Sequence, residues 1–468
     1  MQPACSRREG RDQGRWAAGG AVRRGAGALS RQQRVWEVHL APGILGPVSP
    51  TREIDLTDEQ ADGLSGGRGL GVQRAMRIIV ALGRASGASR LIPVTRAHVD
   101  GVLYHGQASL DFVEWLTSAE ARVAVPTTLN VASLDLLHPW LFRGDEAAAT
   151  AGRRLVDGYL QLGCLPTMTC APYQAQDRPG LGEDVAWAES NAIVFVNSVL
   201  GARTARYGDF SDIAAAIAGC VPYAGLHRPE ARLAGLIVEL DPDAAASLTD
   251  ESDLGALGLV VGELAAGRIP AIVGLPMDTT EDGLKALGAA AASSGSVAMF
   301  HAVGITPEAP DLTPAVVRDR EPARVRVDVA MLRRALVSLA TAPDGPIDAV
   351  SLGTPHFSVR EFERLRAALG ETPGAVRVEF SVSTSRAVLG EITDLGWLDD
   401  LVAAGVTVVT DTCTYVSRIL RDPGGITMTN SAKWAFYAPA NLGARVVYGS
   451  LRDCVESAKA GAVVRTRA

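Results

Sequence analysis

The chain has 468 residues, a formal net charge of −7 and 47% hydrophobic residues. Two or three domains are expected at this length, because a single hydrophobic core stops growing near about 250–300 residues. The acidic balance argues against a nucleic-acid partner, which requires a basic face. No apolar run approaches the ~20 residues that cross a bilayer. We therefore expect a cytoplasmic protein that binds neither nucleic acid nor membrane.

Cysteine and lysine are both scarce. Six cysteines at irregular spacing are too few for a disulfide scaffold, and thiols kept reduced in the cytosol can ligate a metal. Lysine occurs only at Lys285, Lys433 and Lys459, among 45 basic residues. Since arginine fills the generic surface positions, a lysine that remains is more often needed for its own chemistry.

The first 52 residues differ in composition from the rest. Residues 1–52 are rich in Arg, Gly and Ala and contain no apolar core of a secretory signal. They predict a disordered tail or a start codon assigned too far upstream, ahead of a catalytic region at 53–468. The glycine-rich turn at 66–71 lacks the Gly-Lys-Ser/Thr ending of a phosphate loop. Anion binding and simple packing both fit that turn.

Short apolar runs bounded by turn or helix signals predict strands along the chain. They cover residues 90–95, 122–126, 192–196, 271–274, 297–301, 349–352, 376–382 and 406–410. Helical segments lie between them, such as 72–82 and the Ala-rich segment 283–292. Strands that alternate with helices indicate α/β layers.

Hydroxyl, amide and Arg side chains crowd the ends of these predicted strands, where α/β enzymes build their sites. They suit a small anionic substrate, since Arg binds a carboxylate through two hydrogen bonds. Ser, Thr and Asn also favour turns and caps without any further function. The candidate substrate-binding residues are Thr127, Thr128, Asn130, Asn191, Ser198, Arg203, Thr204 and Ser385.

Eight short motifs follow one another in a fixed order. They are Thr-Thr-Leu-Asn (127–130), Thr-Cys-Ala-Pro-Tyr (169–173), Glu-Ser-Asn-Ala (189–192), Asn-Ser-Val-Leu-Gly-Ala-Arg-Thr (197–204), Gly-Ile-Thr-Pro-Glu-Ala (304–309), Gly-Thr-Pro-His-Phe-Ser (353–358), Asp-Thr-Cys (411–413) and Asn-Ser-Ala-Lys (430–433). Together they closely resemble the aconitase X family, from about residue 53 to the C-terminus.

The resemblance implies an aconitase-like fold, with three α/β/α domains around an iron–sulfur cluster or iron. It implies a hydro-lyase acting on a small hydroxy acid. Bacterial members resemble cis-3-hydroxy-L-proline dehydratases, which form Δ1-pyrroline-2-carboxylate. A fourth, swivelling domain is either fused ahead of the large one or supplied separately. Because residues 1–52 are too few for it, we expect a large subunit from which the swivelling domain is missing. A small partner subunit would carry the base serine.

The resemblance makes Cys170 and Cys413 the expected iron ligands, because both stand in family motifs. An open cluster takes about three thiolates and leaves one iron free as a Lewis acid. The third ligand stays open. The resemblance implies a Gly-Cys-Pro-His motif in archaeal relatives, with Cys at the position where this chain has Thr354. Cys164 can reach the same centre or be a buried apolar thiol.

The catalytic candidates are Lys433, Ser431 and His356. In the implied mechanism a base removes the α-proton while iron assists loss of the 3-hydroxyl. Lys433 is the strongest local cation, able to bind the carboxylate or to hold down a pKa by its charge. His356 and His301 follow strand-like runs, where either can assist the leaving hydroxyl. A buried structural role explains His301 at least equally well.

Two other functions are possible for such a chain. Mevalonate 5-phosphate dehydratase, the activity that archaeal members resemble, needs further cations near the pocket, and Thr354 with the bacterial-looking composition argues against it. A cluster-dependent regulator that binds RNA needs a basic patch with aromatic residues, which this acidic chain does not offer.

Overall fold

A computed structural model describes residues 53–175, 178–313, 322–370 and 376–466. The tail predicted for residues 1–52 lies outside the described residues. None of the helices in the described ranges is long and apolar enough to cross a membrane. Three parallel sheets, each beside its own apolar cluster, organise this part of the chain.

The first sheet has three short parallel strands and lies near an antiparallel pair. Its elements are α1 (Asp58–Ser65), α2 (Leu70–Ala85), β1 (Leu91–Pro93), β2 (Ala97–Val99), α3 (Gln107–Thr117), β3 (Thr127–Leu129), α4 (Glu146–Gln161), β4 (Ala186–Trp187), α5 (Ser190–Ser198), α6 (Ser211–Ala218) and β5 (Cys220–Pro222). Strand β2 lies between β3 and β4, while β1 pairs with β5. Because β2, β3 and β4 are parallel, Asp100, Asn130 and Glu189 follow them at one edge.

The second sheet has four parallel strands. Its elements are β6 (Leu236–Leu240), α7 (Pro242–Ala246), α8 (Glu251–Ala265), β7 (Pro270–Val273), α9 (Glu281–Gly295), β8 (His301–Ala302), β9 (Ala323–Val327) and α10 (Val329–Ser338). The strand order is β8-β7-β6-β9. Helices α8 and α9 approach so closely that a Cβ at Gly258 would lie 2.2 Å from the carbonyl oxygen of Leu287. Only glycine allows that approach.

The third sheet has five parallel strands. Its elements are β10 (Ala349–Phe357), α11 (Val359–Leu369), β11 (Glu379–Thr384), α12 (Arg386–Asp394), α13 (Trp397–Ala403), β12 (Val406–Val409), β13 (Ile426–Thr429), α14 (Ala432–Leu442), β14 (Arg445–Tyr448) and α15 (Leu451–Ala460). The strand order is β12-β11-β10-β13-β14. Four helices that follow strands open with a serine that caps the first turn, namely Ser358, Ser385, Ser431 and Ser450.

The α/β prediction is confirmed, with differences in single elements. The strands predicted at 90–95, 271–274, 349–352 and 406–410 are confirmed, and 376–382 overlaps β11. The helices predicted at 72–82 and 283–292 are confirmed as parts of α2 and α9. The strand predicted at 192–196 is wrong, since these residues belong to α5. The runs 122–126 and 297–301 also misplace their strands, which begin at Thr127 and His301.

Candidate metal centre and active-site cavity

Three buried side chains from the first and third domains meet at one point. Cys170 lies in the loop between α4 and β4, His356 lies near the end of β10, and Cys413 lies just beyond β12. Their ligand atoms lie within 4.8 Å of one another. Thiolate sulfur and imidazole nitrogen are donors that suit iron and zinc. The three residues can therefore hold a metal.

The two thiols of this centre shift each other's pKa in opposite directions. Burial raises the pKa of Cys170, but the hydrogen bond with Cys413 and the charge of Lys433 outweigh it, so this pKa lies below its ordinary value. The same hydrogen bond, together with burial, raises the pKa of Cys413 well above its ordinary value. Of the two thiols, Cys170 is therefore the one whose surroundings favour the thiolate, the form that binds metal. The backbone N–H of His356 also donates to its sulfur, at 3.3 Å.

The imidazole of His356 is neutral at pH 7, because burial lowers its pKa to about 4. Its Nε2 lies 3.3 Å from the backbone oxygen of Thr412, and its Nδ1 lies 3.1 Å from Oγ1 of Thr169. Since a carbonyl oxygen only accepts, we assign the proton to Nε2. The lone pair then remains on Nδ1, where it accepts from the Thr169 hydroxyl, and a metal bound at this nitrogen would replace that hydrogen bond.

Three residues around the centre have a strained backbone. Met168, Glu189 and Asp411 have φ angles of 44°, 69° and 61°, although none is glycine. Such angles cost on the order of 1–3 kcal/mol each and persist only where the surroundings impose them. Met168 and Asp411 each stand two residues before a cysteine of the centre. The turns that present Cys170 and Cys413 are therefore held in unfavourable conformations.

Lys433 lies beside the centre with its positive charge already paired to a carboxylate. Its Nζ forms an ion pair with Glu189 at 2.5 Å, and both side chains are buried. Burial lowers the pKa of Lys433, but the charge of Glu189 outweighs burial and raises this pKa well above its ordinary value. Glu189 also caps α5 by accepting from the N–H of Ala192 at 2.8 Å. In this arrangement Lys433 is not a free cation for a substrate carboxylate.

The hydroxyl of Ser431 is engaged on both sides. It accepts from the backbone N–H of Trp434 at 3.0 Å and donates to the backbone oxygen of Thr354. Ser431 thereby joins the start of α14 to β10, the strand that carries His356. A positioning role follows from these contacts.

A cavity of about 1060 Å³ opens beside the centre. Thr169, which contacts His356, and Ala171, next to Cys170, form part of its wall. The volume is at the upper end for sites that take small molecules. Its charged lining residues are Arg178, Glu281, Asp282, Lys285, Arg360, Arg386 and Glu391.

Two of the eight predicted substrate-binding residues, Thr128 and Ser385, line this cavity. The hydroxyl of Thr128 lies 2.8 Å from Nδ1 of the buried His98. Ser385 also caps α12 by accepting from the N–H of Val388 at 3.2 Å. Both hydroxyls therefore reach the cavity wall while keeping a protein partner.

The other six are not among the described residues that line the cavity. Asn191 instead positions the centre, because its amide donates to the backbone oxygen of Cys170 at 2.8 Å. Four more use their side chains in hydrogen bonds to other protein groups: Thr127, Asn130, Ser198 and Thr204. These five side chains therefore have structural contacts of their own, and their role as substrate ligands stays a prediction.

Arg203 was predicted to bind substrate and Cys164 to bind metal, but Arg203 lies outside the described cavity wall and Cys164 outside the metal centre. The backbone of Arg203 hydrogen-bonds to Glu183 and Val185, and its side chain is not part of the described cavity wall. Cys164 belongs to the apolar core beside the first sheet, where burial raises its pKa. A neutral thiol in apolar surroundings is a poor ligand. The structure brings His356, and not Cys164, to the two cysteines.

Lys285 lines the cavity, although it was not predicted as a site residue. Its Nζ lies 3.2 Å from Oδ1 of Asp282, forms a closer ion pair with Glu361, and donates to the backbone oxygen of His356 at 3.3 Å. The scarcity of lysine is the one sequence signal that pointed to it. Two of the three lysines, Lys285 and Lys433, are buried at this site.

Arg386 and Asp411 form a two-bond ion pair behind the Cys413 turn. Nε and Nη2 of Arg386 lie 2.6 and 2.7 Å from the two carboxylate oxygens of Asp411. The side chain of Asp411 is fully buried. No sequence pattern indicated this pairing, because Arg386 begins α12 and Asp411 follows β12, 25 positions later.

The chain matches three family models in succession. Residues 53–230 match the aconitase X first domain, residues 234–337 the aconitase X second domain and residues 347–460 the aconitase X third domain. Each match contains all the strands of one of the three parallel sheets.

Curated relatives belong to two groups. The chain is 42% identical over 410 residues to a cis-3-hydroxy-L-proline dehydratase of Hypocrea jecorina, covering 86% of this chain and 68% of that protein. For the Pseudomonas aeruginosa protein of the same name, the identity is 43% over 403 residues, covering 85% and 69%. The phosphomevalonate dehydratase large subunit of Methanothermobacter thermautotrophicus is 38% identical over 400 residues, covering 84% and 96%.

A solved structure confirms the predicted architecture. The crystal structure of Thermococcus kodakaraensis aconitase X in its holo-form matches with a TM-score of 0.77 and 33% sequence identity. The match covers 86% of this chain and 100% of that chain.

Proposed function

Because the chain belongs to the aconitase X family, we propose that it is a hydro-lyase that converts cis-3-hydroxy-L-proline into Δ1-pyrroline-2-carboxylate and water. The observation that carries this proposal is the 42% identity over 410 residues to a dehydratase of that name. In the reaction the α-C–H and 3-C–OH bonds break and a ring double bond forms. The resulting enamine then tautomerises to the imine.

We propose that Cys170, His356 and Cys413 hold iron or an iron–sulfur cluster. The fit rests on two thiols that a metal can deprotonate and a neutral imidazole, with their ligand atoms all within 4.8 Å of one another. Iron bound there acts as a Lewis acid that eases departure of the 3-hydroxyl.

The chain's own residues keep this site ready. The ion pair with Glu189 holds the ammonium of Lys433 in place, and the positive charge of Lys433 favours the thiolate of Cys170. Asn191 and Thr169 orient the Cys170 loop and the His356 ring. The cavity places a small substrate beside the centre, and its polar wall orients the ring before the α-proton is removed.

We propose that the base serine arrives on a swivelling domain carried by a small partner subunit. Support comes from the archaeal relatives named as large subunits, of which this chain covers 96% in the Methanothermobacter protein. The cis-3-hydroxy-L-proline dehydratases extend beyond the matched region, which is 68% of the Hypocrea protein. The base can therefore come from sequence outside the three matched domains.

Activity and subunit requirement are tested in one assay. The full chain, purified anaerobically with iron, is mixed with cis-3-hydroxy-L-proline, with and without a coexpressed aconitase X small subunit. We expect product, followed by mass spectrometry, only when both chains are present. Turnover by the large chain alone contradicts the partner proposal. Absence of turnover in both mixtures contradicts the substrate.

Mevalonate 5-phosphate is the second candidate substrate. It is favoured by the near-complete coverage of phosphomevalonate dehydratase large subunits, 96% for one and 99% for another. Lower identity, 38% against 42%, favours the hydroxyproline reaction. The same assay with mevalonate 5-phosphate decides between them by the ratio of the two kcat/KM values.

A further inference from the structure

We propose that Arg360 and Glu391 bind the two charges of a zwitterionic amino-acid substrate, Arg360 the carboxylate and Glu391 the ring ammonium. This inference rests on the proposed function and names the residues that select its substrate class. Both line the cavity beside the metal centre, and neither was singled out from the sequence.

Among the described residues, four cations line the cavity, and three of them are already paired. Arg178 donates to both carboxylate oxygens of Glu281, at 3.0 and 2.9 Å. Arg386 is bound by Asp411 in the same two-bond manner. Lys285 is buried between carboxylates. A substrate carboxylate would have to break an existing ion pair to bind any of these three.

Arg360 is the remaining cation. It is the second residue of α11, its side chain is exposed, and it forms no ion pair with any described residue. A guanidinium binds a carboxylate through two parallel hydrogen bonds. The first turn of α11 also presents unpaired backbone N–H groups, which add positive potential.

The carboxylates that line the cavity likewise divide into those with a cationic partner and one without. Glu281 is held by Arg178, and Asp282 is held by Lys285 and by a hydrogen bond from Ser358 at 3.0 Å. Glu391 on α12 is exposed and forms no ion pair within the described ranges. Helices α11 and α12 pack against each other, so the two unpaired charges stand on neighbouring elements of one wall.

One unpaired charge of each sign matches a zwitterion. A cyclic amino acid carries a carboxylate and a secondary ammonium on one ring. A phosphorylated hydroxy acid carries only negative charge and would meet repulsion at Glu391. The pair therefore favours hydroxyproline over mevalonate 5-phosphate in the same cavity.

The test uses ligands that lack one charge at a time. L-Proline is compared with tetrahydrofuran-2-carboxylate, which lacks the ammonium, and with L-prolinamide, which lacks the carboxylate. Affinities for the iron-loaded full chain are measured by titration calorimetry at pH 7. We expect the native chain to prefer proline over each analogue by about 10- to 100-fold, as expected for loss of one hydrogen bond to a charged group.

Two variants then assign the preferences to residues. Glu391→Gln should abolish the preference over tetrahydrofuran-2-carboxylate and keep the other, and Arg360→Gln should do the reverse. Arg334→Gln, an exposed change on α10, should keep both. Any other pattern, including no proline binding by the native chain, overturns the inference. Turnover of hydroxyproline in the two-chain assay without this pattern leaves the proposed function standing and removes only Arg360 and Glu391 from it.

Discussion

At the scale of single residues, two cysteines six positions apart have opposite surroundings. Cys164 packs among apolar side chains, and burial raises its pKa. Cys170 is equally buried, but a thiol, a backbone N–H and the charge of Lys433 all favour its thiolate. Burial alone therefore does not decide whether a thiol can bind metal. The donors and charges around the sulfur decide it.

Replacing the cysteines one at a time should separate these two environments. Cys170→Ala and Cys413→Ala should each lose most of the iron and the visible absorption, because the two donors that remain are too few to hold the metal. Cys164→Ala is the matched control and should keep native iron, with a loss of about 1 kcal/mol in stability for the removed buried atoms. Iron is counted by mass spectrometry. Full iron in both centre variants would refute the ligand assignment.

The sequence motifs contain the three residues that meet at the centre, but they indicate less about the cavity wall. Cys170, Cys413 and His356 stand in motifs, and the structure brings all three together. Arg203 also stands in a motif but lies away from the cavity, whereas Arg360 has no motif and lines it. A motif marks a constrained residue without saying whether the constraint is a ligand or a hydrogen bond in the core. That distinction depends on partners brought close only by folding.

At the scale of elements, the ion pair of Arg386 and Asp411 ties the start of α12 to the turn after β12. That turn carries Cys413 and contains the positive φ angle of Asp411. Asp411 also accepts from the backbone N–H of Leu136, in the first domain. The carboxylate thus holds a strained turn in place from two sides.

Arg386→Ala should loosen this turn, because it leaves a buried carboxylate without its cation. We expect a loss of about 1–3 kcal/mol in the free energy of unfolding, measured by urea denaturation, and weaker retention of iron against a chelator. Arg366→Ala is the control, since its partner Asp400 is exposed. That change should cost less than about 1 kcal/mol and leave iron retention unaltered. Equal effects of the two changes would contradict the special role of Arg386.

Helix α5 shows where a pattern of apolar residues stops being informative. Its residues 191–198 are all buried, so the helix has no polar face to reveal its period. A short apolar run of this kind fits a buried strand as well as a buried helix. The strands at 271–274 and 406–410 were predicted because turn signals bound them. The arrangement of the three sheets around one centre came only from the family resemblance, since no local pattern encodes it.

At the scale of the whole molecule, the backbone oxygen of His356 joins all three domains. It accepts from the side-chain amide of Gln174, in the first domain, at 3.0 Å. It also accepts from Lys285, in the second domain, at 3.3 Å. His356 itself belongs to the third domain. Of the two cysteines beside it, Cys170 comes from the first domain and Cys413 from the third. Every part of the centre therefore depends on the domains being docked.

Such an arrangement makes metal occupancy a measure of interdomain cohesion. A ligand that binds only the docked form stabilises it, by about 2.7 kcal/mol at a hundredfold excess over Kd. Chelated protein should therefore exchange the amide hydrogens of residues 167–174 and 354–357 faster than the iron-loaded protein, while α10 stays unchanged. Identical exchange in both forms would contradict the linkage. If it holds, oxidative loss of iron would weaken the association of the domains as well as stop the chemistry, and the damaged chain would become an easier target for proteolysis.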